Sequence, residues 1–269
     1  FAIEEETFQA IRRHAAGIHG VSAERIRDEL LRLLIAGGRA DGVDLLRESG
    51  LLREILPEVA AMEGVEQPPE YHPEGDVLTH TRLALAHLRE PSAVLALGVL
   101  LHDVGKPATF ERADRIRFHG HAEVGGGMVE EICRRLRLTS DEVEHVAMLV
   151  REHLRIRDLP LMRPGRAKRF LARPDFPDHL ELYRVDCLAS HGDLSTWEWA
   201  RNAHIHLSDQ ERRPPRLLTG QDLIARGYRP GPRFREILEA VVDAQLEGLV
   251  RTREEALTFV EREFPKEKS

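Results

Sequence analysis

The stretch "LTSDEVEHVAMLVREH", residues 138–153, decides how this chain reads. Thr139 followed by Glu142 has the form of a capping box, in which the hydroxyl and the carboxylate each accept one of the amide protons left free at a helix start. Behind it, Val143, Val146, Leu149 and Val150 recur at the three- and four-residue spacing of one helical face. The stretch is therefore a capped amphipathic helix with His153 at its end. The same device recurs on both sides. Ser22 is the N-cap expected for a helix that carries Glu24 near its positive end and Leu30, Leu31, Leu33 and Leu34 behind it. Thr252 with Glu255 opens another in "RTREEALTFVEREF" (251–264). No run of β-branched residues alternates at period two, so the fold is expected to be all-α.

The 269 residues allow one large domain or two to three small ones. Net charge is −7, yet the 39 basic residues are nearly all arginine, with lysine only at 106, 168, 266 and 268. An acidic chain of this kind can still present a local basic face to nucleic acid. Cys133 and Cys187 sit apart in helix-like segments, which argues against a disulfide framework and implies a reducing, cytoplasmic setting. The longest apolar run, "AVLALGVLL" (93–101), is too short to span a membrane, so no membrane partner is expected. The chain begins at Phe1 rather than Met and reads as a fragment.

Breakers divide the chain into a helical block at 1–62, a proline-rich linker at 63–75, a histidine-rich region at 76–192 and an arginine-rich region at 193–269. "GGRADGVDLL" (37–46) reads as an interhelical turn.

The histidine-rich region carries the chemistry. His80 lies on a helix with an apolar stripe of Val77, Leu83 and Leu88. "ALGVLLHDVGKP" (96–107) ends an apolar helix on His102 and Asp103, with Gly105 as the expected C-cap and Pro107 preventing continuation. "RFHGHAEVGG" (117–126) offers His119 and His121 at a helix entry, and Asp186 stands mid-helix among leucines. A carboxylate there is expensive to bury unless something pairs with it. A divalent cation of intermediate hardness, or two, held jointly by these imidazoles and carboxylates would do so. Such an ion acidifies bound water for attack on phosphorus. Lys106 could then neutralise charge on phosphoryl oxygens, with Arg155 and Arg157 as weaker candidates. His87, His145, His179, His191, His204 and His206 read as surface or packing histidines.

The order His80, His102–Asp103 with Gly-Lys after it, His121, His153 and Asp186 resembles the HD superfamily of metal-dependent phosphohydrolases. That resemblance implies a bundle of five or more helices, with His80, His102, Asp103 and Asp186 as the minimal ligand set and His121 and His153 as the pair found in two-metal members. It makes Asp103 and Lys106 the residues closest to catalysis. The cofactor is expected to be one or two divalent ions, manganese, nickel, cobalt, iron or magnesium. His119 could stand in for His121; the Gly-His-Ala-Glu context favours His121.

The flanks are more specific. "FAIEEETFQAIRRHAAGIHGVSAERIRDELLRLL" with "LLRESGLLREILPEV" is similar to the RNA-binding neck of bacterial tRNA nucleotidyltransferases and poly(A) polymerases. "LLTGQDLIARGYRPGPRFREIL" is similar to the element after the HD domain of the same enzymes, although Arg235 stands where many relatives carry glycine. The resemblance implies a neck, an HD domain and a helical tail region in that order, without the polymerising head. It also implies contact with the tRNA acceptor arm through basic residues such as Arg155, Arg157, Arg166, Lys168 and Arg169. Arginine forks match phosphate oxygens, but a salt-bridged helical face would explain the same charges. Two other functions stay open: an independent HD phosphohydrolase of nucleotides or cyclic phosphates, and a binding module with a relic site.

Overall fold

The computed structural model describes residues 3–266. In chain order the helices are α1 (Glu5–Arg13), α2 (Ala23–Ile35), α3 (Arg39–Glu48), α4 (Leu51–Ile55), α5 (Pro57–Ala60) and α6 (Val77–His87). Then follow α7 (Ala93–Leu101), α8 (His121–Arg135), α9 (Ser140–Glu152), α10 (Arg155–Asp158), α11 (Pro164–Leu171) and α12 (Phe176–Ala189). The remainder are α13 (Ser195–Ile205), α14 (Asp209–Arg212), α15 (Gly220–Ala225), α16 (Arg233–Leu246) and α17 (Arg253–Glu263). The fold is all-α, save for a hairpin of two short antiparallel strands, β1 (Glu111–Arg112) and β2 (Ile116–Arg117), between α7 and α8. No helix among the described residues is long and apolar enough to cross a membrane.

The local signals act as capping physics requires. Ser22 Oγ accepts from Arg25 N, and the Thr139–Glu142 and Thr252–Glu255 boxes are closed in both directions. Two expectations fail. Residues 39–48 are a helix, because the turn is made by Gly37 and Gly38 alone and Val43 of α3 is fully buried. Leu83 is 39% exposed, and the buried face of α6 runs instead through Val77, Leu78, Ala84 and Leu85.

Two compact units result, residues 1–156 with 178–195 and residues 157–177 with 196–269. In the first, one continuous hydrophobic core joins Leu34, Val43, Leu52 and Met62 to Leu97, Leu100, Leu149 and Leu182. The block at 1–62 and the helices that carry the histidines thus fold around the same interior. In the second, α11 packs on α16, and Leu223, Ile237, Val241 and Val260 form a separate core.

Arg39, 5% exposed, secures the first unit. Its guanidinium donates to the carbonyls of Leu34 (2.8 Å) and Ile35 (3.3 Å) at the end of α2 and to those of Leu85 (3.3 Å) and Leu88 (2.9 Å) at the end of α6. Helix C-termini leave such carbonyls without intrahelical partners, and one planar fork supplies donors to both. Replacing Arg39 by methionine should strand these acceptors and lower unfolding free energy by about 3 kcal/mol, measured by urea denaturation. Lysine should restore little, lacking the fork.

Candidate metal centre

Each ligand candidate is delivered by a helix or a helix end. Asp76 caps α6, its Oδ1 accepting from Thr79 N at 2.8 Å, and His80 lies one turn further on, fully buried. α7 is buried from Leu95 to Leu101 and ends at its C-cap, His102, with Asp103 next. Gly105 is not the left-handed cap expected of it. A Cβ there would lie 2.2 Å from the His121 carbonyl oxygen and 2.7 Å from Gly125 N, so the glycine exists to let α8 approach. Gly120, at φ +73° on the N-cap of α8, turns the chain so that His121 opens the helix. His153 is the C-cap of α9, and Asp186 projects from the last turn of α12.

The four imidazoles share one arrangement. His102 Nδ1 bonds to the Val99 carbonyl at 2.8 Å, His121 Nδ1 to Phe118 at 2.9 Å and His153 Nδ1 to Val150 at 2.7 Å, each three residues back. His80 Nδ1 bonds instead to Glu74 Oε1 at 2.6 Å. A carbonyl or carboxylate can only accept, so each of these Nδ1 atoms carries a proton; the Nε2 atoms of His102, His121 and His153 are left to present a lone pair, whereas that of His80 also faces a carboxylate, Asp186. The Nε2 atoms converge: those of His80 and His102 are 3.3 Å apart, as are those of His121 and His153.

Asp103 stands between the two pairs. Its Oδ2 lies 3.2 Å from His102 Nε2 and 3.8 Å from that of His80, its Oδ1 3.5 Å from His121 and 3.9 Å from His153. Asp186 Oδ1 is 3.1 Å from His80 Nε2. His80, His102 and Asp186 therefore make one potential ligand group and Asp103, His121 and His153 a second. The donor set fits divalent ions. Facing imidazole nitrogens 3.3 Å apart need a proton or a cation between them, and the buried Asp103 carboxylate is shared among all four imidazoles and Lys106.

The electrostatics follow from burial among unlike charges. Burial alone would lower the His80 value, but the Asp186 and Glu74 carboxylates outweigh it and push the imidazole up to about 9. Burial drives His153 down to about 3, with only Asp103 opposing it strongly, and His121 is lowered by the same cause. Burial would raise Asp103, yet His102 and Lys106 hold it well below the usual carboxylate range. Lys106, itself buried, places Nζ 2.7 Å from Asp103 Oδ2 and donates to Gln67 Oε1 at 2.6 Å.

Residues 63–75, read as linker from their prolines, contribute Gln67 to Lys106 and Glu74 to His80. His72 Nδ1 also bonds Glu74 Oε1, at 2.9 Å. The available signal was a histidine and a glutamate two residues apart, His72 and Glu74, in a segment that needed neither to be a linker. His119 is exposed, outside the centre. His145 pairs with Asp178 at 3.1 Å, and His204 stacks on Phe176 with ring centroids 4.9 Å apart.

The basic candidates are differently placed. Arg155 pairs with Glu152, and Arg157 is exposed beside Asp158 at 3.1 Å. Arg166 is exposed and makes no ion pair among the described residues. Lys168 is held by Glu211 at 2.7 Å, and Arg169 by Asp243 at 2.6 Å and Glu239 at 2.8 Å, contacts that lock α11 to its neighbours.

Fold and centre together define an HD-type helical domain sharing its core with a helical RNA-binding segment. Residues 71–189 match the HD domain, and residues 1–63 match the probable RNA- and SrmB-binding site of polymerase A. The chain is 38% identical over 97% of its length to the A-adding tRNA nucleotidyltransferase of Deinococcus radiodurans and 38% identical over 97% to the CC-adding tRNA nucleotidyltransferase of Thermus thermophilus. It is 30% identical over 93% to the multifunctional CCA protein of Halorhodospira halophila. Over nearly its whole length the chain is thus similar to tRNA nucleotidyltransferases, with the polymerase-A RNA-binding match and the HD match in that order. It spans 64%, 62% and 61% of these three relatives, less than two thirds of each.

Glu74 fixes the tautomer of His80 from behind, as outer carboxylates do for metal-binding imidazoles. Glu74→Gln should weaken manganese binding about 10- to 100-fold in calorimetric titration while leaving the helical circular dichroism unchanged.

Proposed function

We propose that this chain supplies the RNA-binding and HD portion of a protein acting on tRNA 3′ ends, and that its His/Asp centre is a divalent-metal phosphoesterase site. In this reading residues 1–62 are the neck, 63–75 the connection, 76–192 the HD domain and 193–269 a helical tail region. The observation that carries the phosphoesterase reading is the convergence of four Nε2 atoms on the Asp103 carboxylate, with every Nδ1 tied back. Imidazoles and carboxylates gathered in this way support the reading of a cation site.

His80, His102 and Asp186 would hold one ion and His121 with His153 a second, with Asp103 offering one oxygen to each. A site this rich in imidazole suits manganese, cobalt, nickel or iron better than magnesium. When bound, such ions supply Lewis acidity and an acidified water. The chain's residues orient this chemistry. Glu74 and the three carbonyls hold the Nδ1 protons and so aim each Nε2 at the centre, Gln67 and Asp103 hold the Lys106 ammonium beside it, and the buried walls exclude bulk water. Lys106 neutralises charge that builds on phosphoryl oxygens, an effect of the size usual for a preorganised cation.

For RNA, the exposed arginines Arg157 and Arg166, with Arg155, are assigned to phosphate contact. Lys168 and Arg169 act chiefly through the acids they already hold. The match of residues 1–63 to an RNA-binding segment favours this reading over an independent phosphohydrolase.

The test pairs metal content with turnover of 2′,3′-cyclic nucleotides. The parent chain should retain or take up divalent metal and hydrolyse the cyclic phosphate. A folded His102→Ala, Asp103→Ala double variant should lose both, turnover falling by at least about a thousandfold. Metal without turnover in the parent would rule out the phosphoesterase reading. Arg157→Ala with Arg166→Ala should weaken tRNA binding and flatten its log–log salt dependence by about two units, measured by filter binding at several salt concentrations.

A further inference from the structure

We infer that Phe110 and Phe118 form a stacking subsite for the base of a nucleoside phosphate whose phosphoester sits at the His/Asp centre. The inference rests on the phosphoesterase reading above and adds what that centre selects. Phe118 ends the β1–β2 hairpin segment three residues before His121. Its ring centroid is 6.4 Å from the His121 ring and 5.3 Å from Lys106 Nζ. Phe110, at the start of the same segment, has its ring centroid 5.9 Å from that of Phe118, tilted by 58°. The rings of His121, Phe118 and Phe110 therefore run in sequence from the buried centre to the surface.

Phe110 is 39% exposed in a chain with only 5% aromatic residues. An apolar docking surface does not fit its surroundings, because the hairpin between the two phenylalanines carries Arg112, Arg115 and Arg117. Arg112 pairs with Glu66 and Arg117 with Asp114 at 2.8 Å, whereas Arg115 is exposed and makes no ion pair among the described residues. An exposed aromatic ring, Phe110, beside arginines and one step from a phosphate-type centre is the chemistry that recognises a nucleotide, with the half-buried Phe118 as the wall behind it. Stacking accepts any base, since every base has a π-face, so the subsite selects for a base without reading which one.

The manganese-loaded chain is titrated calorimetrically with adenosine 3′-monophosphate and, as a ligand without a base, with inorganic phosphate. The nucleotide should bind about tenfold more tightly than phosphate. Phe110→Ala should erase that margin while leaving phosphate affinity and manganese stoichiometry unchanged, and Phe110→Trp should keep it. A margin that survives Phe110→Ala, or no margin in the parent despite phosphate binding, would overturn the subsite and leave the metal centre standing. A parent that binds neither manganese nor phosphate would overturn the metal centre and the subsite with it. A short oligoribonucleotide ending in a 3′-phosphate separates the two sources of the ligand. Binding as tight as the mononucleotide assigns the subsite to RNA ends, and exclusion assigns it to free nucleotides.

Discussion

The carboxylate of Asp103, buried among four imidazoles and a lysine, is the constraint that the first unit is built to satisfy. An isolated charge in such a place would shift its protonation or unfold its surroundings. Here its two oxygens face two histidine pairs, and each histidine arrives from a separate helix or helix end. The helices α6, α7, α8, α9 and α12 must therefore stop, or expose a mid-helix position, at the same point in space. Gly105 shows how tight this requirement is, since no Cβ can stand between the 102–106 turn and the backbone of α8.

Helix ends do two jobs in this arrangement. The last carbonyls of a helix lack intrahelical partners. His102 and His153, both C-caps, use carbonyls three residues back to fix their Nδ1 protons, and His121 uses the carbonyl of Phe118 in the same way. Acceptors that would otherwise need water thus set the tautomers that a metal needs. Arg39 solves the same problem elsewhere with a cation, satisfying the ends of α2 and α6 together. Because the core runs unbroken from Leu34 to Leu182, the RNA-binding segment and the His/Asp centre belong to one folded body.

The similarity to tRNA nucleotidyltransferases runs through both the segment at 1–63 and the domain that carries the His/Asp centre. The arginines fall into two groups. Some hold the second unit together through Asp243, Glu239 and their like, and others stay exposed where a phosphate can reach them. A count of basic residues does not separate these groups, because pairing with an acid far along the chain decides which arginine is free.

Capped amphipathic helices, and the residue types able to hold a divalent ion, are legible in the sequence. Caps and amphipathic faces depend on contacts within about four residues, so Thr139 with Glu142 and the valines behind them are legible in one dimension. The His/Asp cluster that could hold a metal was legible only through its order along the chain and its likeness to a family, since nothing local brings His80 to Asp186. Tertiary structure alone decided the rest. It made Gly105 a point of close approach instead of a cap, and residues 39–48 a helix instead of a turn. It gave Glu74 and Gln67 their partners at His80 and Lys106, and engaged Lys168 and Arg169 with acids more than forty residues away. These outcomes depend on which distant surfaces meet in the packed core, and local sequence carries no record of that.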